Sequence, residues 1–202
     1  MPRVVVPFAG VEGKTRLHPS RGVRREVSLA MLGDVLASCV AVAATLVVTR
    51  DAEGASLARA IGAGSVTDPG GGQGAAVQAA LAGLEAGPVL VVNADVPCVD
   101  PADLRALIAA TPKGGLALVE AGDGTTNALS LPVPGAFAPL YGAGSAARFR
   151  ARAAELGLET VSADIPNLAD DVDTLEDLER LRLRCGPRTR ACLVELPVEA
   201  LR

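Results

Sequence analysis

The sequence predicts an α/β sandwich built around a mostly parallel sheet. Short, uninterrupted β-branched runs such as 4–8 and 88–92 are typical of strands that are buried on both faces. Between such runs lie longer segments, for example 27–42, in which apolar residues recur at helical spacing. Strands that alternate with helices along a chain usually form a parallel sheet, because each helix carries the chain back across it.

The remaining elements follow from the same two periodicities. Asp100 and Pro101 indicate a helix start, since proline lacks the N–H that the first helical turn does not use. We predict strands at 4–8, 45–49, 65–67, 88–92, 116–120, 127–131 and 159–162, and helices at 27–42, 55–61, 75–84, from 101, at 145–156 and at 174–184. Residues 1–184 are predicted to form one domain, and the tail 185–202, with mixed charge and two prolines, is left unassigned.

The composition excludes several functional classes. Half of the 202 residues are hydrophobic and 21% are charged, so the chain can bury a core and is not intrinsically disordered. Aromatic residues make up only 2%, which argues against binding that depends on base stacking. The net charge of −4 offers no basic field for a nucleic acid or an anionic membrane.

Cysteine spacing and hydropathy bear on the compartment. Four cysteines without a Cys-x-x-Cys pair, together with one histidine, do not match a zinc site or a disulfide framework. The longest uncharged stretch, 35–49, has 15 residues, short of the roughly 18–20 that span a bilayer. We therefore expect a cytoplasmic protein without a membrane partner; Ala-rich helices leave a homodimer open.

Ligands of parallel sheets bind beyond the carboxyl ends of the strands, which directs attention to the loop after the first strand. There Gly10 and Gly13 are too close together for a Walker A loop. Exposed amides together with Lys14 and Arg16 can still bind a triphosphate. A solvated basic loop without a ligand is the alternative interpretation.

Two further loops carry aspartates. Asp95 directly follows a buried strand, where its carboxylate suits a Mg²⁺ ion that bridges phosphates, or else simply forms a turn. Thr174 and Asp177 match a helix N-cap, but capping does not explain the closely spaced aspartates at 170, 171 and 173. Repelling carboxylates are tolerated around a cation, so the two loops could share one metal ion.

Hydroxyl and amide groups mark the third region. Thr126 and Asn127 stand at the start of a strand, and Gly142 precedes Ser145 at the start of a helix. Backbone amides and a hydroxyl at a helix N-terminus favour anions. Ordinary helix capping explains the same residues equally well.

Taken in order, these motifs resemble one family. Lys-Thr-Arg-Leu at 14–17, Asp-Val-Pro at 95–97, Gly-Thr-Thr-Asn-Ala-Leu at 124–129, Gly-Ala-Gly-Ser at 142–145 and Asp-Val-Asp-Thr at 171–174 look like the 2-phospho-L-lactate/phosphoenolpyruvate guanylyltransferases of coenzyme F420 biosynthesis. The resemblance spans residues 4 to about 190. It implies a three-layer α/β/α nucleotidyltransferase fold, like that of nucleotide-diphospho-sugar transferases, and a condensation of GTP with phosphoenolpyruvate or 2-phospho-L-lactate that releases pyrophosphate.

The matching motifs also imply residue roles. Asp173 is preferred to Asp171 only because its Asp-Thr step matches the family better. Nucleotide binding would involve Gly10, Gly13, Lys14, Arg16 and Gly72. The catalytic residues would be Lys14, Asp95 and Asp173, and the two aspartates would hold Mg²⁺. The phosphorylated acid would be bound by Thr126, Gly142 and Ser145. The segment after Asp68 departs from the family pattern, which leaves the base and ribose contacts open.

The scarcity of histidine agrees with such a reaction. A phosphate monoester has a second pKa near 6 and is already largely dianionic at neutral pH, so it needs no protein base. Two alternatives stay open: a related enzyme with another base or acceptor, such as a molybdopterin cytidylyltransferase, and a non-catalytic GTP-sensing module. An NAD-dependent oxidoreductase is disfavoured because no Gly-x-Gly-x-x-Gly motif follows the first strand.

Overall fold

The computed structural model describes residues 2–10, 16–18 and 20–196. In that part of the chain, seven strands form one sheet in the order β3-β2-β1-β4-β6-β5-β7. The strands are β1 (Arg3–Pro7), β2 (Ala44–Thr49), β3 (Gly64–Thr67), β4 (Val89–Val92), β5 (Leu116–Glu120), β6 (Thr126–Leu131) and β7 (Thr160–Ser162). All seven strands lie within two residues of their predicted bounds.

The sheet is parallel except at one strand. In the parallel half, Val4 of β1 lies opposite Thr45 of β2 on one side and Leu90 of β4 on the other. The strand β6 runs antiparallel between β4 and β5, with Val91 opposite Leu129. The predicted strand pair β5–β6 is thus confirmed, and its second strand joins it to the parallel half.

Helices cover both faces of the sheet. The described helices are α1 (Arg21–Val40), α2 (Ala52–Ile61), α3 (Gln73–Ala82), α4 (Pro101–Ala110), α5 (Ser145–Glu155), α6 (Pro166–Ala169), α7 (Leu175–Leu181) and α8 (Pro187–Glu195). None of these described helices combines the length and the apolar character needed to cross a bilayer.

Alternate residues of β1 show the three layers directly. Val4 packs into a core cluster with Leu36 of α1 and Leu104 of α4. Its neighbour Val5 packs into a second cluster, on the opposite face, with Phe149 of α5. Because successive side chains of a strand point to opposite faces, the sheet has a buried helical layer on each side. The predicted α/β/α architecture is confirmed.

Several element bounds differ from the sequence prediction. Helix α1 begins at Arg21, six residues earlier than predicted, because residues 21–26 are mostly polar and exposed or half-buried, and Val23 is the single large apolar residue among them. The helix predicted at 174–184 ends at Leu181, and the short α6 was not predicted.

Residues 187–195, which the sequence left unassigned, form α8. The carboxylate of Asp34 in α1, only 4% exposed, accepts hydrogen bonds from the backbone amides of Arg188 (3.0 Å) and Thr189 (2.8 Å). These amides belong to the first turn of α8, where no intrahelical acceptor is available. A side chain of α1 therefore caps α8 and holds it against the domain.

Candidate active site

A cavity of about 290 Å³ opens at the carboxyl ends of β1, β3 and β4. This is the edge of a parallel sheet at which ligands bind. Its position agrees with the sequence argument, which singled out the loops after β1 and β4. The lining includes Phe8, Ala9 and Gly10 after β1, Asp68, Gly72 and Gln73 around the start of α3, Asn93, Ala94 and Asp95 after β4, and Asp173 before α7.

Three carboxylates meet beside this cavity. Oxygen atoms of Asp95, Asp171 and Asp173, which we call the acidic cluster, all lie within 4.8 Å of one another. The backbone brings them together, since the amide of Val172 donates a hydrogen bond of 2.9 Å to the carbonyl of Asp95. Carboxylate oxygens are hard donors of the kind that Mg²⁺ prefers. The donor set therefore fits a divalent cation.

The local fold of residues 170–177 explains which aspartates join the cluster. Thr174 and Asp177 form the predicted capping box at the start of α7. The carboxylate of Asp170 is ion-paired with Arg180 (2.8 Å) and Arg184 (2.7 Å). Asp171 and Asp173 are then the two aspartates of the segment that contribute to the acidic cluster.

The structure thus changes the choice between Asp171 and Asp173. The sequence motif favoured Asp173 over Asp171, whereas the geometry brings both carboxylates to Asp95. The spacing of the two residues carried the signal, because residues two apart in an extended segment can both reach one centre. A metal ion at this cluster would therefore be within reach of three protein carboxylates rather than two.

Two of the three glycines predicted to bind nucleotide, Gly10 and Gly72, line the cavity. Gly10 has φ +73°, and a Cβ there would lie 3.1 Å from an Asp51 carboxylate oxygen. Gly72 has φ +90° and forms the N-cap of α3, with nothing within 4 Å of the position a Cβ would occupy. Positive φ is strained for residues with a side chain, so both positions favour glycine.

Of the two predicted cationic residues, the structure describes Arg16. The guanidinium of Arg16 donates a hydrogen bond to the carboxylate of Asp173, which places it at the acidic cluster. Hydrogen bonds from Thr125 lower the pKa of the Asp123 carboxyl, burial opposes them, and the charge of Arg16 adds a smaller lowering. Gly13 and Lys14 lie outside the described residues.

The predicted acceptor residues form a second group. The hydroxyl of Ser145, at the start of α5, donates a hydrogen bond of 3.0 Å to the hydroxyl of Thr126, at the start of β6. The amide of Ser145 donates to the carbonyl of Gly142 at 2.9 Å. Ser145 is 0% exposed and Thr126 is 1% exposed, and neither lines the cavity. We call Thr126 and Ser145 the hydroxyl pair.

An amide network joins the hydroxyl pair to the cavity. Asn93, which lines the cavity, donates through Nδ2 to the Thr126 carbonyl and to Asn127 Oδ1, both at 3.2 Å. Asn127 Nδ2 in turn donates to the carbonyl of Ala169 at 3.1 Å. Gln73 Nε2 donates to Asn93 Oδ1 at 2.6 Å. Sequence analysis missed Asn93, although its place directly after β4 was available as a signal.

The loop beside the hydroxyl pair is held by an arginine. The guanidinium of Arg148 donates to the carbonyls of Leu140 (2.8 Å), Tyr141 (3.2 Å) and Ala143 (2.5 Å). Below the loop, Tyr141 packs edge-on against Phe149 at 5.3 Å between ring centroids, and burial raises the pKa of Tyr141. Arg148 therefore fixes the conformation of residues 140–144, and sequence analysis assigned it no role.

Comparison with known proteins agrees with this geometry. A family model described as guanylyl transferase CofC like matches residues 2–196. A phosphoenolpyruvate guanylyltransferase of Streptomyces coelicolor is 38% identical over 96% of both chains, and one of Nocardia farcinica is 37% identical over 90% of this chain and 83% of its own.

A solved structure shares the fold. It belongs to a protein of Desulfovibrio desulfuricans G20 described as a nucleotide-diphospho-sugar transferase, with a TM-score of 0.77 and 17% identity. The match covers 100% of this chain and 97% of that one, and it shows the fold alone. Together with the family match over nearly the whole length, these findings confirm the resemblance: the chain belongs to the CofC-like guanylyl transferase family.

Proposed function

We propose that the chain transfers the guanylyl group of GTP to the phosphate of phosphoenolpyruvate, as a step of coenzyme F420 biosynthesis in the cytoplasm. The observation that carries the proposal is the acidic cluster at the cavity, joined through Asn93 to the hydroxyl pair. It is supported by relatives at 37–38% identity that are named phosphoenolpyruvate guanylyltransferases. 2-Phospho-L-lactate is the second acceptor to be tested.

The proposed reaction exchanges one phosphoanhydride bond for another. An oxygen of the acceptor phosphate attacks the α-phosphorus of GTP, and the bond from that phosphorus to the bridging oxygen of the β-phosphate breaks. Pyrophosphate leaves with the electron pair of that bond. Because the acceptor phosphate is largely dianionic at neutral pH, no side chain has to remove a proton. The protein has to position two anions and offset their charge.

The acidic cluster is the proposed Mg²⁺ site. Asp95, Asp171 and Asp173 would hold the ion, which would supply positive charge that offsets the charge of the phosphates. Arg16 already contacts Asp173 and would add positive charge at the same place. Lys14 is proposed to contact the nucleotide phosphates.

The glycines Gly10 and Gly72 let the nucleotide approach the backbone. Neither position has a side chain, and both line the cavity between the acidic cluster and the start of α3. With Gly13, they are proposed to contact GTP through backbone amides, which are effective phosphate ligands.

The hydroxyl pair and Gly142 are proposed to bind the phosphorylated acid. Ser145 occupies the first turn of α5, an 11-residue helix whose N-terminus favours an anion. In the present structure the two hydroxyls satisfy each other, so binding requires them to exchange this hydrogen bond for bonds to the acceptor. The loop 140–144, held by Arg148, is the element that has to adjust.

Pyrophosphate release tests the proposal. GTP and Mg²⁺ would be supplied with phosphoenolpyruvate, 2-phospho-L-lactate or 3-phosphoglycerate in separate reactions. Inorganic pyrophosphatase should be present, because exchange between two phosphoanhydrides is nearly thermoneutral. Release with phosphoenolpyruvate and not with 3-phosphoglycerate is the expected result. Absence of release with every acceptor, from folded protein that binds GTP, contradicts the proposal and favours the sensing module.

A further inference from the structure

One carboxylate of the cavity lining stands apart from the acidic cluster. Asp68 directly follows β3, whereas Asp95 follows β4. The strands β2 and β1 lie between them, and three strand spacings amount to roughly 14 Å. Asp68 is therefore too far from Asp95 to hold the same metal ion or the same phosphate group. A carboxylate at that end of the cavity needs another explanation.

The backbone fixes the position of Asp68. Its carbonyl accepts a hydrogen bond of 2.7 Å from Arg50 Nε, and its amide donates to the carbonyl of Thr49 at 3.3 Å. One carboxylate oxygen, Oδ1, accepts from the amide of Gly70 at 2.8 Å. Among the described residues no further hydrogen bond or ion pair reaches this carboxylate, so it retains acceptor capacity for a ligand.

Three glycines follow Asp68 and present bare backbone. Gly70, Gly71 and Gly72 all have positive φ, between +86° and +91°. Nothing lies within 4 Å of the position where a Cβ at Gly72 would be, and Gly72 lines the cavity. The open backbone of Gly72 and the carboxylate of Asp68 thus line the same cavity, and together they suit a planar ring that carries hydrogen-bond donors on its edge.

Guanine is the nucleotide base with that edge. Its N1–H and N2 amino group are adjacent donors, and a carboxylate can accept from both with charge-assisted hydrogen bonds. Adenine, cytosine and uracil do not offer this pair of donors. The other polar side chain at this end of the cavity, Gln73, already donates to Asn93 at 2.6 Å.

We propose that Asp68 is the residue that selects guanine, by accepting hydrogen bonds from N1–H and the N2 amino group. The inference rests on the proposed guanylyl transfer and extends it to base specificity. The base then lies at the Asp68 end of the cavity and the phosphates reach the acidic cluster at the other end. Asp68 thus supplies the base contact that the sequence left open.

Asp68→Asn with two nucleotides tests the assignment. Asparagine presents one acceptor and one donor, which matches xanthine, because xanthine keeps N1–H but has a carbonyl in place of the amino group. We expect kcat/KM for GTP to fall about 100-fold and that for XTP to rise at least about 10-fold above wild type. An unchanged preference for GTP, or an equal loss for both nucleotides, would overturn the proposal.

A second measurement needs no variant. ITP lacks the N2 amino group, so wild-type protein is expected to use and to bind ITP about 10- to 100-fold less well than GTP. Equal affinity for the two nucleotides in a calorimetric titration would count against Asp68. Glu85→Gln is the matched control: it also removes one negative charge, but Glu85 is exposed and precedes β4 at the opposite edge of the sheet.

These measurements separate the two proposals. If wild-type protein transfers guanylyl groups but the nucleotide swap fails, only the base assignment falls. If the wild-type protein binds GTP more tightly than ITP, and Asp68→Asn binds XTP more tightly than GTP, Asp68 is supported even where no acceptor reacts. In that case the proposed transfer to phosphoenolpyruvate is the part that fails.

Discussion

The acidic cluster and the hydroxyl pair prepare for anionic ligands in opposite ways. Asp95, Asp171 and Asp173 are half-buried, carry like charge and sit with their oxygens within 4.8 Å. Thr126 and Ser145 are neutral, fully buried and bonded to each other at 3.0 Å. The first group gains favourable interactions when a cation arrives, whereas the second must give up a hydrogen bond when an acceptor arrives.

This difference predicts that substitutions which lower activity have opposite effects on stability in the two regions. Repulsion among the carboxylates raises the free energy of the folded state, and Arg16 offsets part of it at Asp173. Removing the charge of Asp95 is therefore expected to leave stability unchanged or to increase it. Removing a buried, bonded hydroxyl leaves its partner unsatisfied and lowers stability. Each region can be tested by measuring activity and the free energy of unfolding on the same variant.

The largest effect is expected at Asp95. Asp95→Asn keeps the shape of the side chain but removes a charge from the proposed metal site, and we expect kcat/KM to fall by at least about 10³-fold. The backbone hydrogen bond from Val172 to the Asp95 carbonyl does not depend on the side chain. The Tm should therefore stay at or above the wild-type value. Pyrophosphate release and a thermal melt measure the two quantities.

Full activity of Asp95→Asn would contradict the metal assignment. Loss of activity together with a clear fall in Tm would contradict the idea that the acidic cluster strains the fold. Repeating the assay over a range of Mg²⁺ concentrations separates a weaker metal site, which excess Mg²⁺ partly rescues, from a defect in chemistry.

The second largest loss of activity is expected at Asp171 and Asp173, which can be compared with each other. Because both reach Asp95, we expect Asp171→Asn and Asp173→Asn each to lower kcat/KM by about 10²-fold or more. Asp173 also accepts a hydrogen bond from Arg16, so its loss should raise the KM for GTP in addition. An inactive Asp173→Asn beside a fully active Asp171→Asn would restore the two-carboxylate site that the sequence predicted.

The third effect concerns the hydroxyl pair. Ser145→Ala removes the donor to Thr126 and is expected to raise the KM for the acceptor about 10-fold, with little change in the KM for GTP. The buried Thr126 hydroxyl loses its partner, so the free energy of unfolding should fall by about 1–2 kcal/mol. Equal increases in both KM values would argue against an acceptor site here.

A smaller effect is expected from the residue that holds the acceptor loop. Arg148→Lys keeps the charge but cannot donate simultaneously to the carbonyls of Leu140, Tyr141 and Ala143. We expect the KM for the acceptor to rise about threefold to fivefold. The neighbouring Arg152→Lys, which alters an exposed pair with Glu155, is the matched control and should leave both KM values unchanged.

Local patterns predicted most of the fold. Apolar runs and helical periodicity identified all seven strands of the described chain, and Asp100–Pro101 marked the start of α4, where a capping box forms. The sequence did not predict α8, because its N-terminal amides are satisfied by Asp34, about 154 residues earlier in the chain. A cap that distant leaves no signal near the helix itself.

The part of the candidate site that could be predicted from the sequence is the part that contains closely spaced aspartates. Asp95 stood out because it follows a buried strand, and the aspartates at 170, 171 and 173 stood out because helix capping did not explain them. The structure brings Asp95 and Asp173 together with Asp171. Asn93 and Asp68 were missed because single polar residues after strands are common in turns. Their place in one cavity emerges only when the order β3-β2-β1-β4 brings the ends of these strands together.

The smallest effect is expected at Asp170, which lies outside the acidic cluster although it precedes Asp171 in the sequence. Burial alone raises the pKa of Asp170, but hydrogen bonds from Arg180 and Arg184 outweigh it and lower the pKa below its ordinary value. A carboxyl whose pKa is lower in the folded state contributes stability at neutral pH that is lost as the pH falls below about 4. Asp170→Asn should therefore lower the free energy of unfolding at pH 7 by less than about 1 kcal/mol, because both arginines are half exposed. In the variant, the free energy of unfolding should also fall less steeply as the pH is lowered. Denaturant titrations at pH 7 and pH 3 measure this difference in stability. A loss of activity comparable to that of Asp171→Asn would contradict the conclusion that Asp170 lies outside the acidic cluster.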